Sequence, residues 1–376
     1  MRIHLLTPSI IPGDAVSNDA LGMRRWFRRR GFEAYAYAGR CHADLRKKVR
    51  PLRAYGQYLE SRDDLLIYHH SVGWPAGLAL YERGRNRKIV RYHNVTPPIF
   101  YRPYNAHYAR AYLRGIKETR RLAQSEPELV LADSDFNARG LISLGANAKL
   151  CRTVPPLHTI GSLDRLPLDQ RVVARLAGRT NLLFVGRVTP NKGQVHLIRV
   201  LAYYQRHLAG NAHLVLVGGF DTGIPGYVEK LQSEIRRHGL QDRVHFTGKV
   251  SPRELRTYYA SASVFVCASE HEGFCVPLVE AMHHGIPIVA FAGTAVGCTL
   301  GDAGLTWETP EPALLAESVR HIEEHPEVRS TLVGKQRERY ELQFTSAVIE
   351  HRLEEVVGPI FLQYRHGAPG CSFPHR

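Results

Sequence analysis

Residues 267 to 288, CASEHEGFCVPLVEAMHHGIPI, hold two glutamates, Glu272 and Glu280, with seven residues between them. From Gly273 to Gly301, Glu280 is the only Asp, Glu, Lys or Arg. A chain that is 23% charged would place about seven there, so a buried region keeps one carboxylate for a purpose. SVFVCAS, alternating and β-branched, predicts a strand just before it; Pro277 suits the first helical position and Gly285 follows the helix end. A strand, a glycine turn and a helix N-terminus expose backbone N–H groups at a positive dipole end, where an anion can sit. Glu272 is expected in the turn beside that anion. Glu280 is expected one turn into the helix, within reach of hydroxyls behind it. The competing reading is a buried helix whose Glu280 pairs with a distant arginine.

Three more segments have the same strand–glycine–helix form. VGRVTPNKG (185–193) ends a strand at Gly186 and passes Arg187 and Lys192 to a helix at Gly193. Two fixed cations beside a helix start suit a diphosphate, the guanidinium as a planar fork and the ammonium as a point charge. In LVGGFD (216–221), Gly218 and Gly219 let backbone approach a ligand closely. VHFTGKVSPREL (244–255) turns at Gly248 and starts a helix at Ser251-Pro252. In doubly wound α/β folds ligands bind beyond the C-terminal ends of the strands, where all four segments would converge.

These motifs need a scaffold, and the chain predicts one. Strands are expected at 2–9, 33–38, 64–71, 88–95 and 128–135, with helices such as 19–30 and 105–123 between them. A proline-bearing stretch, 154–178, reads as a linker. The alternation restarts with strands at 181–186, 213–218, 243–247, 263–268, 286–291 and 304–307, and helices such as 193–208 and 226–238. Helices at 314–325, 330–343 and 346–364 close the chain. Strands alternating with helices imply parallel sheets covered on both faces. At 376 residues, two domains are expected: 1–155 together with a C-terminal helix at about 345–365, and 175–340. The tyrosines of FYRPYNAHYARAY (Tyr101, Tyr104, Tyr108, Tyr112) read either as a sugar-contacting surface or as helix packing.

Composition narrows the class. The chain is 44% hydrophobic, which fits a folded protein. Pro8 and Pro12 cut short the apolar start, which favours a first strand over a signal peptide. The uncharged run 281–301 is broken by glycines, Pro287 and two histidines, against a membrane span. Six scattered cysteines without a C-x-x-C pair indicate neither a disulfide framework nor a zinc site, and a reducing cytoplasm is the simplest location. Residues 1–160 hold 27 Lys or Arg against 13 Asp or Glu, and carry almost all of the net +15. Arg24, Arg25, Arg28, Arg29 and Arg30 surround Trp26 and Phe27; Arg46, Lys47, Lys48, Arg50 and Arg53 follow. Such a surface fits an anionic bilayer, a nucleic-acid backbone, or a solvated face with no partner.

GRVTPNKG, LVGG, RVHFTGKVS and above all HEGFCVPLVE, with its Glu-x7-Glu spacing, resemble the family 4 glycosyltransferases of the GT-B type. The resemblance spans nearly the whole chain and is most specific from 182 to 291. It implies two doubly wound Rossmann-like domains facing each other across a cleft that closes over a nucleotide-sugar donor. It implies sugar transfer with retention of anomeric configuration, without metal or other cofactor, a donor phosphate oxygen taking the acceptor proton. Arg187 and Lys192 would hold the diphosphate, Glu280 the ribose hydroxyls, and Glu272 the donor sugar near the reacting centre. The amides of Gly273, Phe274 and Cys275 would cap phosphate or sugar. Gly186 and Gly218 would line the donor, and Gly248, Lys249 and Val250 would lie near the base. Gly13 and Asp14 match the first-domain loop that approaches the diphosphate, and His93 a histidine beside the reacting sugar. His69, His70 and Asp14 are candidate acceptor contacts. The acceptor is expected to be a glycan, lipid-linked because the acceptor domain is the basic one, in cell-surface polysaccharide or glycolipid synthesis at the inner face of the membrane.

Asp133-Ser134-Asp135 imitates the D-x-D metal motif of the single-domain GT-A fold. That fold would leave a second set of six strands unexplained, so Ser134 or Asp135 is expected to cap a helix and no metal is assigned. A nucleic-acid-binding protein would need a recognised module, and none is present. A GT-B epimerase would convert a donor without acceptor, and a phosphorylase would need a pyridoxal-binding lysine, which is not identifiable.

Overall fold

The structure, a computed structural model, describes residues 1–208 and 210–365. The chain forms two units. Unit 1 comprises Met1–Val95, Tyr112–His158 and the chain from Gln343; unit 2 comprises Thr96–Ala111 and Thr159–Leu342.

Unit 1 runs through β1 (Arg2–Ile10), α1 (Ala15–Arg29), β2 (Glu33–Cys41), β3 (Arg50–Pro51), β4 (Leu65–His70), α2 (Pro75–Arg83), β5 (Arg87–Tyr92), α3 (Ala106–Ala123, whose first residues are counted in unit 2), β6 (Leu129–Ala132), α4 (Asp135–Ser143) and β7 (Cys151–Thr153). Its seven strands are all parallel, in the order β3-β2-β1-β4-β5-β6-β7. Because successive strand residues face opposite ways, Ile3, Leu5, Leu65 and Ile67 pack on one side and Leu6, Leu66 and Tyr68 on the other. Met23, Trp26 and Phe27 of α1 cover the first side, together with Ile349, Leu353, Val357 and Phe361 of the C-terminal helix. Trp26 and Phe27 are fully buried, so these two aromatics belong to the core and not to a bilayer-facing surface. Arg29 and Arg30 pair with Glu350 and Glu354, leaving Arg25, Arg28, Arg46, Lys47 and Lys48 among the exposed cations.

Unit 2 contains α5 (Gln170–Leu176), β8 (Thr180–Val185), α6 (Gln194–His207), β9 (Ala212–Val217), α7 (Pro225–Arg237), β10 (Val244–Gly248), α8 (Pro252–Ala260), β11 (Val264–Cys267), α9 (Val276–His283), β12 (Ile288–Phe291), α10 (Ala295–Leu300), β13 (Leu305–Trp307), α11 (Pro312–Glu324) and α12 (Pro326–Gln343); α13 (Ser346–Arg365) returns to unit 1. Its six parallel strands follow β10-β9-β8-β11-β12-β13. β9 and β11 are buried at every residue, as strands covered on both faces must be. In both sheets the strand order reverses beside the first strand, between β1 and β4 and between β8 and β11, which is where doubly wound folds bind ligands.

Several expectations need correction. Sheet 1 has seven strands, because β3 and β7 are two- and three-residue edges too short to show a period. α1 starts at Ala15 and not at Asp19: Asp14 caps it by accepting the Ser17 N–H, which places Asp19 inside the helix and buries it. The stretch 154–178 contains α5, capped by Asp169, so it is not a plain linker. Three tyrosines of the block pack within unit 2: Tyr101 is buried, Tyr104 sits edge-on to Tyr227, and Tyr108 donates to Asp221 at 3.1 Å; Tyr112 packs on the core of unit 1.

Candidate active site

β8 and β11 pair directly, Val264 opposite Leu182 and Phe265 opposite Leu183, so the loops that leave their C-terminal ends emerge side by side. The first loop turns at Gly193, whose φ is +67°; a Cβ there would stand 2.0 Å from the Ala268 carbonyl oxygen of the second. Only glycine permits that approach. Asn191 joins the two loops as well. Its carbonyl accepts from the N–H groups of Glu270 and His271, and its side-chain amide donates to the His271 carbonyl at 3.0 Å. Asn191 was not singled out from sequence, because its partners are some 80 positions away.

Across this seam Lys192 Nζ lies 2.7 Å from both carboxylate oxygens of Glu272. Glu272 is buried and Lys192 is about one-fifth exposed at its side chain. Burial alone would lower the lysine pKa, but the carboxylate beside it outweighs that and holds it above its ordinary value. Arg187 is exposed and near enough for its charge to oppose that of Lys192. Its carbonyl accepts from Gln194, which Tyr227 holds in turn, so the backbone that carries Arg187 is braced from two sides. Two cations thus stand on the loop after β8, one of them paired with a carboxylate from the loop after β11, an arrangement that can exchange a protein anion for a phosphate.

The loops after β9 and β10 join the same rim. Gly218 has φ +151°, and a Cβ on it would meet the Gly186 carbonyl oxygen at 1.9 Å; its N–H donates to the Gly248 carbonyl. Lys249 is exposed, next to the half-buried Val250. Beyond Gly273, Phe274 is held by Thr299, whose hydroxyl donates to its carbonyl, and Cys275 caps α9 with φ +72°. Such a left-handed non-glycine residue costs on the order of 1–3 kcal/mol, and such residues cluster at functional sites. Glu280 lies in α9 and accepts from the Tyr259 hydroxyl at 2.5 Å, so its partner is a tyrosine and not an arginine. Burial raises the Glu280 pKa, only partly offset by that hydrogen bond.

In unit 1, Gly13 is exposed with φ +78°, while Asp14 is engaged in capping α1, accepting the Ser17 N–H and hydroxyl. His93 stands past β5 with both ring nitrogens engaged: Nδ1 at 2.8 Å from Asp133 and Nε2 at 2.9 Å from His69 Nδ1. Arg91, fully buried, bridges Asp19 and Asp133 at 2.8 Å each. Two carboxylates facing one guanidinium and two imidazoles form a paired buried network. Sequence reasoning passed over Asp19 and Arg91 because a charge on a helix or a strand reads as solvated until its partner is known. His70 is enclosed, its Nε2 against the Thr119 hydroxyl and the Gly115 carbonyl, and His69 is equally buried. In the D-x-D-like segment each residue has a protein contact: Asp133 as above, Ser134 as the cap of α4, and Asp135 accepting from Thr153. Asp19, His69 and His93 could together reach one ion, but Arg91 already supplies the cation on that carboxylate.

Residues 169–346 match the family model described as "Glycosyl transferases group 1". A D-inositol 3-phosphate glycosyltransferase of Corynebacterium diphtheriae is 27% identical over 231 residues, 60% of this chain and 52% of that protein. A GDP-mannose-dependent alpha-(1-6)-phosphatidylinositol monomannoside mannosyltransferase of Mycobacterium tuberculosis is 33% identical over 184 residues, 46% of this chain and 45% of that protein. The chain therefore spans about half the length of the curated relatives it matches. Among solved structures, Anabaena Alr3699/HepE in complex with UDP and glucose is similar in fold, with a TM-score of 0.78 at 20% identity, covering 96% of this chain and 100% of that one.

Proposed function

We propose that the chain is a group 1 glycosyl transferase that moves a hexose from a nucleotide-diphosphate sugar to a glycan acceptor with retention of configuration, a reading supported by the match over residues 169–346 and by the GT-B fold. The observation that carries this reading is the Lys192–Glu272 pair beside Arg187 at the strand-order reversal of unit 2. A diphosphate entering there competes with Glu272 for the Lys192 ammonium. Once displaced, the carboxylate is free to accept from hydroxyls of the donor sugar. Lys192 and Arg187 stabilise the negative charge that grows on the leaving nucleotide as the glycosidic bond breaks, the kind of preorganised electrostatics that dominates such barriers. The departing phosphate oxygen takes the acceptor proton. Glu280 accepts from the ribose hydroxyls, and the loop Gly248–Val250 reads the base. The two cations do the work a metal does elsewhere, so no metal is required for transfer.

Two lines support a lipid-linked acceptor: the cations exposed on α1 and at 46–48, and the phosphatidylinositol monomannoside in the name of the Mycobacterium tuberculosis relative. No helix among the described residues is long and apolar enough to cross a membrane, so contact at a membrane would be peripheral. Cell-surface glycolipid or polysaccharide synthesis, at the inner face of the cytoplasmic membrane, is the matching role. The test supplies candidate donors with lipid-linked glycans in anionic vesicles and follows nucleoside diphosphate release. Release that needs acceptor and yields a glycosylated lipid supports the reading; release that ignores acceptor, or binding to neutral and anionic vesicles alike, defeats its lipid part.

A further inference from the structure

We propose that Asp164, His283 and His284 bind a divalent transition-metal ion of the zinc class, at a site in unit 2 that is separate from the donor-binding loops. One ligating atom from each of the three lies within 4.8 Å of the others. His283 closes α9 and His284 is its C-cap, so the helix presents both imidazoles at its last turn, where the backbone dipole favours a cation. His283 Nε2 is 2.8 Å from Asp164 Oδ1 and 3.0 Å from Oδ2. His284 Nε2 is buried without a hydrogen-bond partner, an unmet lone pair or proton of the kind that ligation would resolve.

The rings are held in place before any ion arrives. His284 stacks on Tyr259 at 5.0 Å and 17°, and His283 packs on Tyr340 at 4.9 Å. Asp164 is about half exposed at its side chain, so it can swing the small distance that brings its oxygen to an ion. Water can fill the fourth position. Two imidazoles and one carboxylate suit zinc, cobalt(II) or nickel(II) better than magnesium or calcium, which prefer all-oxygen shells. The nearby cation Arg256 donates to the Leu166 carbonyl, whereas Arg91 lies directly on the carboxylate of the Asp19 cluster in unit 1. A bound ion would tie the segment ahead of α5 to the end of α9, one turn beyond Glu280.

The test uses the full chain, stripped with chelator and desalted, titrated calorimetrically with zinc chloride and followed by cobalt(II) visible absorption. His321 on α11 and His325 at its C-cap, with rings 4.4 Å apart, are a second place for zinc and serve as the control. One strong site is expected, with Asp164→Asn and His283→Gln each weakening it by about tenfold or more, His321→Gln leaving it unchanged, and magnesium failing to compete. A thermal melt run alongside shows each variant folded, and the exposed Asp164 is the safest position. Absence of zinc binding below about 1 mM, or a strong site lost in His321→Gln but kept in His283→Gln and Asp164→Asn, overturns the proposal.

Discussion

Lys192 Nζ contacts both oxygens of Glu272 at 2.7 Å, and this pair, together with Asn191, fastens the loop after β8 to the loop after β11. Removing the lysine leaves a buried carboxylate unpaired. Lys192→Ala is therefore expected to lower stability by about 1–3 kcal/mol and to reduce turnover at least a hundredfold. The double variant Lys192→Ala/Glu272→Gln should regain most of the stability and none of the turnover. Denaturant midpoints and steady-state rates on the three proteins check both halves.

If Glu280 accepts from ribose hydroxyls, it does so more strongly when ionised, yet burial raises its pKa. The folded protein then holds that proton more tightly than the unfolded chain, so this group's contribution turns unfavourable as pH rises above about 4.5 and through the raised folded value. Glu280→Gln should gain stability relative to wild type between pH 5 and pH 8, while its nucleotide Kd rises by about tenfold. Urea midpoints at the two pH values and calorimetric titration read the two effects separately.

Gly193 combines φ +67° with the 2.0 Å approach to the Ala268 carbonyl, whereas Gly140 in α4 has nothing within 4 Å. Gly193→Ala should displace the Lys192 loop, costing more than about 1 kcal/mol and most of the activity. Gly140→Ala, inside a helix with open space around it, should be neutral or stabilising by up to about 1 kcal/mol. Matched thermal melts and rates test the contrast.

Burial pushes His4 and His70 down to about 4. The unfolded chain takes up these protons near pH 6.5, so stability is full above that value and falls as pH drops toward 4, each group contributing at most about 1.4 kcal/mol per pH unit. His70→Gln should flatten the slope of stability against pH across that window, whatever its effect on the absolute value.

If Arg187 and Lys192 act in place of a metal, chelator-treated and desalted enzyme should turn over at the wild-type rate, and added magnesium or manganese should not raise it. A several-fold stimulation by either ion, measured as nucleoside diphosphate release, would contradict that assignment.

Much of the donor-side loop cluster was legible in the sequence because its signals are local. Glu272 and Glu280 stand out against 29 residues nearly empty of charge, Gly186 and Gly218 each follow a buried strand, and Gly248 ends β10. What escaped notice depends on partners far along the chain: Asn191 reaching His271, and Arg91 gathering Asp19 and Asp133. The same holds for Trp26 and Phe27. Arginines on either side made them look like surface, and only α13, more than 300 positions later, shows which way they face. His93 illustrates the limit for function as well, since a motif can locate a histidine without revealing that both its nitrogens are already taken.

The central claim is a nucleotide diphosphate held by Lys192 and Arg187. Thermal melts of wild type and Lys192→Ala against UDP, GDP, ADP, CMP, TDP and their sugar conjugates test it most directly. One diphosphate series should stabilise the wild type by about 2.7 kcal/mol at a hundredfold its Kd and leave Lys192→Ala almost unmoved. A wild type indifferent to every nucleotide, or a variant stabilised as fully as the parent, would contradict it.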